Sequence, residues 1–219
     1  MKAITVIILM LVLSYPCYSI NTEEIMNNMS DTVNNKVETF KADIEQVVFI
    51  SEMEGGTKLK GSITLKKQNK IFIDYNDPVK QSVISDGKSV WLYFPEQKQV
   101  IAQNIEVMKN KDNILFTLNK FVEFIKNKYD SKYIKEEKIE DKDYYMLECS
   151  PKSQSEEFVK INVWVSKEKW IPMIIDGYVN EVSKATITFK NEIINEEVKD
   201  EIFDFKVPDD VDVVSSPLE

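Results

Sequence analysis

Apolar residues recur along this chain of 219 residues in two different rhythms. Between Thr22 and Ala42, the residues Ile25, Met29, Val33, Val37 and Phe40 follow a helical spacing, which predicts an amphipathic helix over 22–42. Glu23 and Glu24 give it an acidic first turn, suited to the positive end of the helix dipole. From Asp43 to about Gln103 the rhythm shortens to alternation, as in Ile71-Phe72-Ile73-Asp74-Tyr75, broken by turn chemistry. Gly55-Gly56, Lys67-Gln68-Asn69, Asn76-Asp77-Pro78, Asp86-Gly87 and Pro95-Glu96-Gln97-Lys98 mark the turns of an antiparallel meander. Ile114, Leu118, Phe121, Val122, Ile125 and Tyr129 then predict a second amphipathic helix over 112–129, with Asp112 or Asn113 as N-cap. Strand patterns resume at 132–139, 143–149, 158–166, 170–179 and 184–194.

The expected fold is therefore mainly β (α+β), with about eleven strands and two helices whose apolar stripes need a surface to cover. A curved sheet under helices meets that need. By strand parity, Ile63, Leu65, Ile71, Ile73, Tyr75, Ile84, Ile161, Val163 and Val165 should face the helices, and Trp91 is counted with them as a stacking surface. A register slip of one residue would turn any of these strands over. Alternation alone does not separate an ordinary core from a ligand cavity.

Composition removes several kinds of chemistry. The chain has no His, and its 28 basic residues are all Lys, so it lacks an imidazole base and a bidentate guanidinium clamp. A net charge of −9 disfavours nucleic acid as a partner. The acidic residues Glu136-Glu137 and Glu140-Asp141 lack the spacing and glycine of a calcium loop and read as a solvated hairpin tip. No motif places a base beside a nucleophile. We expect no enzyme activity, no cofactor and no metal site.

At the N-terminus, Lys2 precedes an apolar stretch from Ala3 to Leu13, followed by Pro16 and Ser19. That layout predicts a secretory signal peptide over residues 1–19, and it is too short for a spanning helix, which needs about 20 residues. A lipidated Cys17 is the competing reading, opposed by Pro16 where lipoprotein signals place a small residue. With export, residues 20–219 form one domain in which Cys149 has no disulfide partner and reads as a packing residue.

Between Gly61 and Val100 the chain resembles the LolA family of periplasmic lipoprotein carriers. The resemblance rests on Leu65-Lys66-Lys67-Gln68-Asn69, Ile71-Phe72-Ile73-Asp74-Tyr75, Asp77-Pro78, Ser85-Asp86-Gly87-Lys88 and Val90-Trp91-Leu92-Tyr93, with echoes in 40–46 and 203–211. It implies an open, curved antiparallel barrel of eleven strands whose apolar concave side is covered by helices and takes up the acyl chains of lipoproteins. The implied partners are acylated lipoproteins, an inner-membrane ATP-binding-cassette complex that releases them and an outer-membrane acceptor lipoprotein. The carrier itself would be a periplasmic monomer. Met29, Val33, Val37, Ile114, Leu118, Phe121 and Ile125 would belong to the lids. Lys67 stands where the family places an Arg linked to lid holding and cargo handoff, and a lysine cannot reproduce the planar fork of that Arg.

Other readings stay open on the sequence. A periplasmic lipid-binding sensor or regulator, or a carrier of lipid or glycolipid, would use the same sheet. An outer-membrane acceptor would need acylation at Cys17, and a hydrolase would need turnover that no motif here suggests.

Overall fold

The computed structural model describes residues 20–50, 56–105 and 117–215. Helix α1 (Thr22–Asp31) is followed by a π turn (Thr32–Lys36) and then β1 (Thr39–Phe49), β2 (Thr57–Lys66), β3 (Lys70–Asp77), β4 (Gln81–Asp86), β5 (Ser89–Phe94) and β6 (Gln99–Asn104). Helix α2 (Leu118–Lys128) leads directly into β7 (Tyr129–Ile139), β8 (Lys142–Pro151), β9 (Lys160–Ser166), β10 (Pro172–Tyr178) and β11 (Lys184–Ile194). A 3-10 turn (Asp200–Phe203) and a short β12 (Asp212–Ser215) complete the described chain.

All twelve strands belong to one sheet, in the order β12-β6-β5-β4-β3-β2-β1-β11-β10-β9-β8-β7. Local hairpins explain most neighbours, but the pairing of β1 with β11 joins two meanders that are far apart in sequence. β12 and β7 are both edges, so the sheet curves without closing. The β7 edge carries Lys132, Lys135, Glu136 and Lys138, and its register shifts around Ile134, devices that discourage pairing with a foreign strand. Among the described residues no helix is long and apolar enough to cross a membrane.

The first helix is shorter than its apolar spacing predicts. Asn21 Oδ1 caps α1 by accepting from the Glu24 N–H at 2.9 Å, but the π turn ends at Lys36 and Phe40 lies on β1. Asn195 accounts for the exit: its Oδ1 accepts from the Glu38 N–H at 2.7 Å and its Nδ2 donates to the Lys36 carbonyl at 2.7 Å. Phe40 then pairs with Leu65 and Ile194. Long-range strand pairing thus overrides a helical spacing that Phe40 happens to continue.

The second helix likewise ends one residue early, because Tyr129 opens β7. Ile114 and the expected caps Asp112 and Asn113 lie outside the described residues; the described helix begins at Leu118, with Thr117 in the cap position. Among the described residues there are twelve strands, one beyond the eleven or so expected. The addition is β12, which runs parallel to β6 with Val213 beside Val100, while the other pairings are antiparallel. Four residues within an acidic tail carry too little alternation to announce a strand.

Directly paired residues project to the same face of a sheet. On the inner face, Ile63 is paired with Ala42 and Ile73, Ile73 with Val83, and Val83 with Leu92. The same face continues across β1 and β11 through Ile44–Phe189 to Ile187–Ile175, Ile175–Val163 and Val163–Leu147. The helices α1 and α2 lie over it and share one apolar cluster with it.

Gly61 marks a register shift opposite β3, where a Cβ would lie 2.0 Å from the Asp74 carbonyl oxygen. At Gly177 the obstacle is the movable Phe158 ring, 2.8 Å away. Gly61→Ala should therefore lower stability by about 1–3 kcal/mol in urea unfolding, and by more than Gly177→Ala; equal shifts would show that the β2–β3 backbones can part freely.

Candidate functional site

The surface to consider is the layer between the two helices and the inner face. From α1 and the π turn come Ile25, Met29 and Val33, and from α2 come Leu118, Phe121, Val122 and Ile125, all buried. Ile25, Met29, Val122 and Ile125 are completely so, at 0% exposure. From the sheet come Ile63, Leu65, Ile71, Ile73, Tyr75, Ile161, Val163 and Val165. Val37, just beyond the π turn, joins the same layer. The layer is therefore one helix thick on one side and one sheet thick on the other.

Two residues grouped with this face lie elsewhere. Ile84 pairs with Phe72 and with Trp91, and Trp91 pairs with Ala102, so all four project from the outer face. Ile84 and Trp91 therefore do not line the helix-covered surface. Their places are taken by Val83, Val90 and Leu92. The sequence hid this because Val83-Ile84 and Val90-Trp91-Leu92-Tyr93 are apolar at consecutive positions, so alternation gives no parity there.

The outer face has its own cover over β3–β5. Lys66 Nζ donates to the Val198 carbonyl at 2.8 Å, and Asp200 bridges Lys66 at 2.7 Å and Lys70 at 2.9 Å. Those hydrogen bonds, with the charge of both ammonium groups, bring the Asp200 carboxyl down to about 2. The 3-10 turn packs on β3 and β4, and the Phe205 ring sits 5.9 Å from Trp91 and 5.4 Å from Tyr93. Ile84 and Phe203 are buried on this side.

Polar groups in the inner layer are few. Tyr75 donates its hydroxyl to Gln46 Oε1 at 2.8 Å, and burial pushes its phenol up to about 12. Cys149 is buried beside the Ser131 hydroxyl at 3.4 Å, and burial pushes its thiol up to about 11, far from the reactive thiolate range. The acidic hairpin tip is neutralised by lysines: Glu136 pairs with Lys167, Glu137 with Lys135, Glu140 with Lys190 and Asp141 with Lys138. Among the described residues no group of three or more His, Cys, Asp or Glu is placed to hold a metal. What the layer offers a ligand is apolar contact.

The helices are held at both ends of α1. Thr22 Oγ1 accepts from the Tyr133 N–H of edge strand β7 at 2.8 Å. At the other end Asn195 grips the exit of the π turn, and Lys67, on the β2–β3 turn, forms an ion pair with Glu38 while its N–H donates to the Glu38 carbonyl at 3.0 Å. Lys67 thus touches the segment that connects α1 to the sheet.

The geometry has counterparts among known proteins. A solved structure of an uncharacterized conserved protein from Thermus thermophilus superimposes with a TM-score of 0.59 at 12% identity, covering 88% of this chain and 98% of that one. MucB superimposes with a TM-score of 0.52 at 9% identity over 84% of this chain and 62% of its own. In sequence, an outer-membrane lipoprotein carrier protein of Legionella pneumophila (strain Corby) is 23% identical over 95% of this chain and 96% of its own length. An uncharacterized protein of Methanocaldococcus jannaschii is 27% identical over 90% of this chain, which spans about half of that relative, 54%. The family model described as "Outer membrane lipoprotein carrier protein LolA" matches residues 35–206, from the π turn past the strap on the outer face. On that match, which takes in most of the sheet and all of α2, the chain belongs to the LolA family of outer membrane lipoprotein carrier proteins.

Proposed function

We propose that this protein is a periplasmic carrier that holds the acyl chains of lipoproteins on its inner face, beneath α1 and α2. The observation that carries the reading is the make-up of the core: an open sheet covered by two helices with buried apolar stripes. Ligand and helices can compete for such a surface because each satisfies the same apolar demand.

The magnitudes allow exchange. Burying a sixteen-carbon acyl chain contributes on the order of 12 kcal/mol, at about 0.8 kcal/mol per CH₂. Displacing Ile25, Met29, Val122 and Ile125 costs about 6–12 kcal/mol, at about 1.5–3 kcal/mol for each fully buried side chain. Net affinity is the small difference of two large burials, which lets a carrier both load and release. A rigid cavity of the same area would hold its cargo too tightly to pass it on.

The proposal extends to the route. After removal of residues 1–19 the chain would act in the periplasm, receive lipoproteins from an inner-membrane ATP-binding-cassette complex and deliver them to an outer-membrane acceptor. It would perform no covalent chemistry.

Ile125→Ala should lower stability by about 2–5 kcal/mol, because its side chain is fully buried, and should tighten binding of a fluorescent sixteen-carbon fatty acid by weakening the competing cover. Loss of stability with weaker acyl binding would contradict competition. For the route, the mature protein added to energised spheroplasts should carry acylated lipoproteins into the soluble fraction, as read by mass spectrometry. Recovery of free lipid alone would replace the lipoprotein route with lipid carriage.

A further inference from the structure

Exposed apolar side chains gather at one end of the sheet. The strand registers bring the end of β1, the start of β11, the end of β10 and the start of β9 side by side, with Phe49 paired to Lys184, Lys184 to Tyr178 and Tyr178 to Lys160. Phe49, Ile50, Val159, Val179 and Val182 stand at this end and are from 41% to 56% exposed. The four strands are consecutive in the sheet, so the group spans about 14 Å at about 4.8 Å per strand. Large apolar side chains that close together form a patch rather than scattered exposure.

The patch is layered along the strand direction. Phe49, Lys184, Tyr178 and Lys160 form the last rung that the four strands share. Ile50, Val159, Val179 and Val182 lie beyond it. In the rung, Lys160 Nζ sits 4.4 Å from the centre of the Tyr178 ring and Lys184 Nζ 5.7 Å. The β10–β11 turn displays its valines from a closed frame: Asn180 Oδ1 accepts from the Val182 N–H at 3.0 Å and the Ser183 N–H at 2.7 Å, and the Val179 N–H donates to the Ser183 carbonyl at 3.0 Å.

The geometry points to a docking face for a lipid surface: the outermost aliphatic side chains enter the acyl boundary, while Tyr178, Lys160 and Lys184 stay at the level of the head groups. Aliphatic tips backed by an aromatic ring and lysines with long stems reproduce the order of depth at a membrane interface. Charge fixes the kind of lipid. Lys184 also bridges Asp176 at 3.3 Å, and Glu157 and Glu181 are exposed beside the valines, so the face has no net positive charge. The whole chain carries −9. Apolar insertion therefore has to carry the binding, and a zwitterionic surface suits it better than an anionic one. In a two-fold contact with a second copy, Lys160 and Lys184 would meet their own images, whereas phosphocholine heads offer them phosphate oxygens.

The inference goes beyond the carrier reading and stands without it, but the face adjoins the inner layer. Phe158, next to Val159, lies against Gly177 and packs on the apolar cluster beneath the helices. Tyr129, where α2 passes into β7, donates its hydroxyl to the Phe158 carbonyl at 3.3 Å. A bilayer held at this end lies beside the surface that the helices cover.

The test is flotation of the mature protein, without residues 1–19, with vesicles of pure phosphatidylcholine and with vesicles that also contain phosphatidylglycerol. The protein should float with the first and no better with the second. Val179→Ser combined with Val182→Ser should weaken vesicle binding about tenfold, because two half-exposed valines together bury about as much as one whole side chain. Ile193→Ser, exposed at the opposite end of β11, should bind as the parent does. An environment-sensitive dye on Val182→Cys should shift to the blue with vesicles, and the same dye on Ile193→Cys should not; Cys149 is buried and does not compete for the label. Stronger binding to the anionic vesicles, or a blue shift at Ile193→Cys alone, would put the lipid contact elsewhere and overturn this face. Absence of binding would overturn it too and leave the carrier reading untouched, and self-association that the double variant abolishes would assign the patch to a second copy instead.

Discussion

An open sheet with one apolar face is not stable in water until something covers that face, and the rest of this molecule follows from how the cover is supplied. A closed barrel would bury the face against itself, and a sandwich would use a second sheet. Here two short helices do it, with four completely buried side chains between them. Because the cover meets the sheet through apolar side chains, the burial it provides is of a kind that another apolar body can also provide. Under the proposed function, storage of an acyl chain and stability of the empty protein would be two uses of the same surface.

The outer face is managed differently. Its apolar patch, Ile84 with Trp91 and Tyr93, is covered by the chain's own 198–205 segment, fixed by Asp200 between Lys66 and Lys70. Such ion pairs suit a permanent strap, since they position it without needing deep burial. The two faces are thus held differently: by ion pairs outside, and by apolar contact inside, where the proposed function requires exchange. Lys66 and Lys67, neighbours in the chain, serve one side each, holding the strap and the α1 exit respectively.

How much of this was legible in the sequence depended on the spacing rule each segment obeyed. Ile71-Phe72-Ile73-Asp74-Tyr75 alternates strictly between the two faces, and its odd positions do face the helices. Ile84 and Trp91 were misplaced because their neighbours are equally apolar, so no period could choose a face. The end of the first helix was hidden because Asn195, the residue that turns the chain out of it, lies 157 positions from the Glu38 N–H it caps. β12 was missed for a related reason: its identity as a strand comes from pairing with β6, not from its own four residues. Turn signals were legible between the strands from β2 to β6, the Gly55-Gly56 signal lying partly outside the described residues, whereas the β1–β11 joint that unites the two meanders was not, since it is a property of the whole sheet. Lys67 drew notice through family likeness, and its contact with Glu38 came only from the structure.

The central claim is that helices and acyl chain compete for the inner face, and amide hydrogen exchange with and without a sixteen-carbon fatty acid tests it most directly. The account predicts that ligand lowers protection across Thr22–Lys36 and Leu118–Lys128 while β1–β3 and β8–β11 keep or gain protection. Ligand binding that raises protection in both helices along with the sheet would mean that the chain is held without displacing its cover, and would contradict the account.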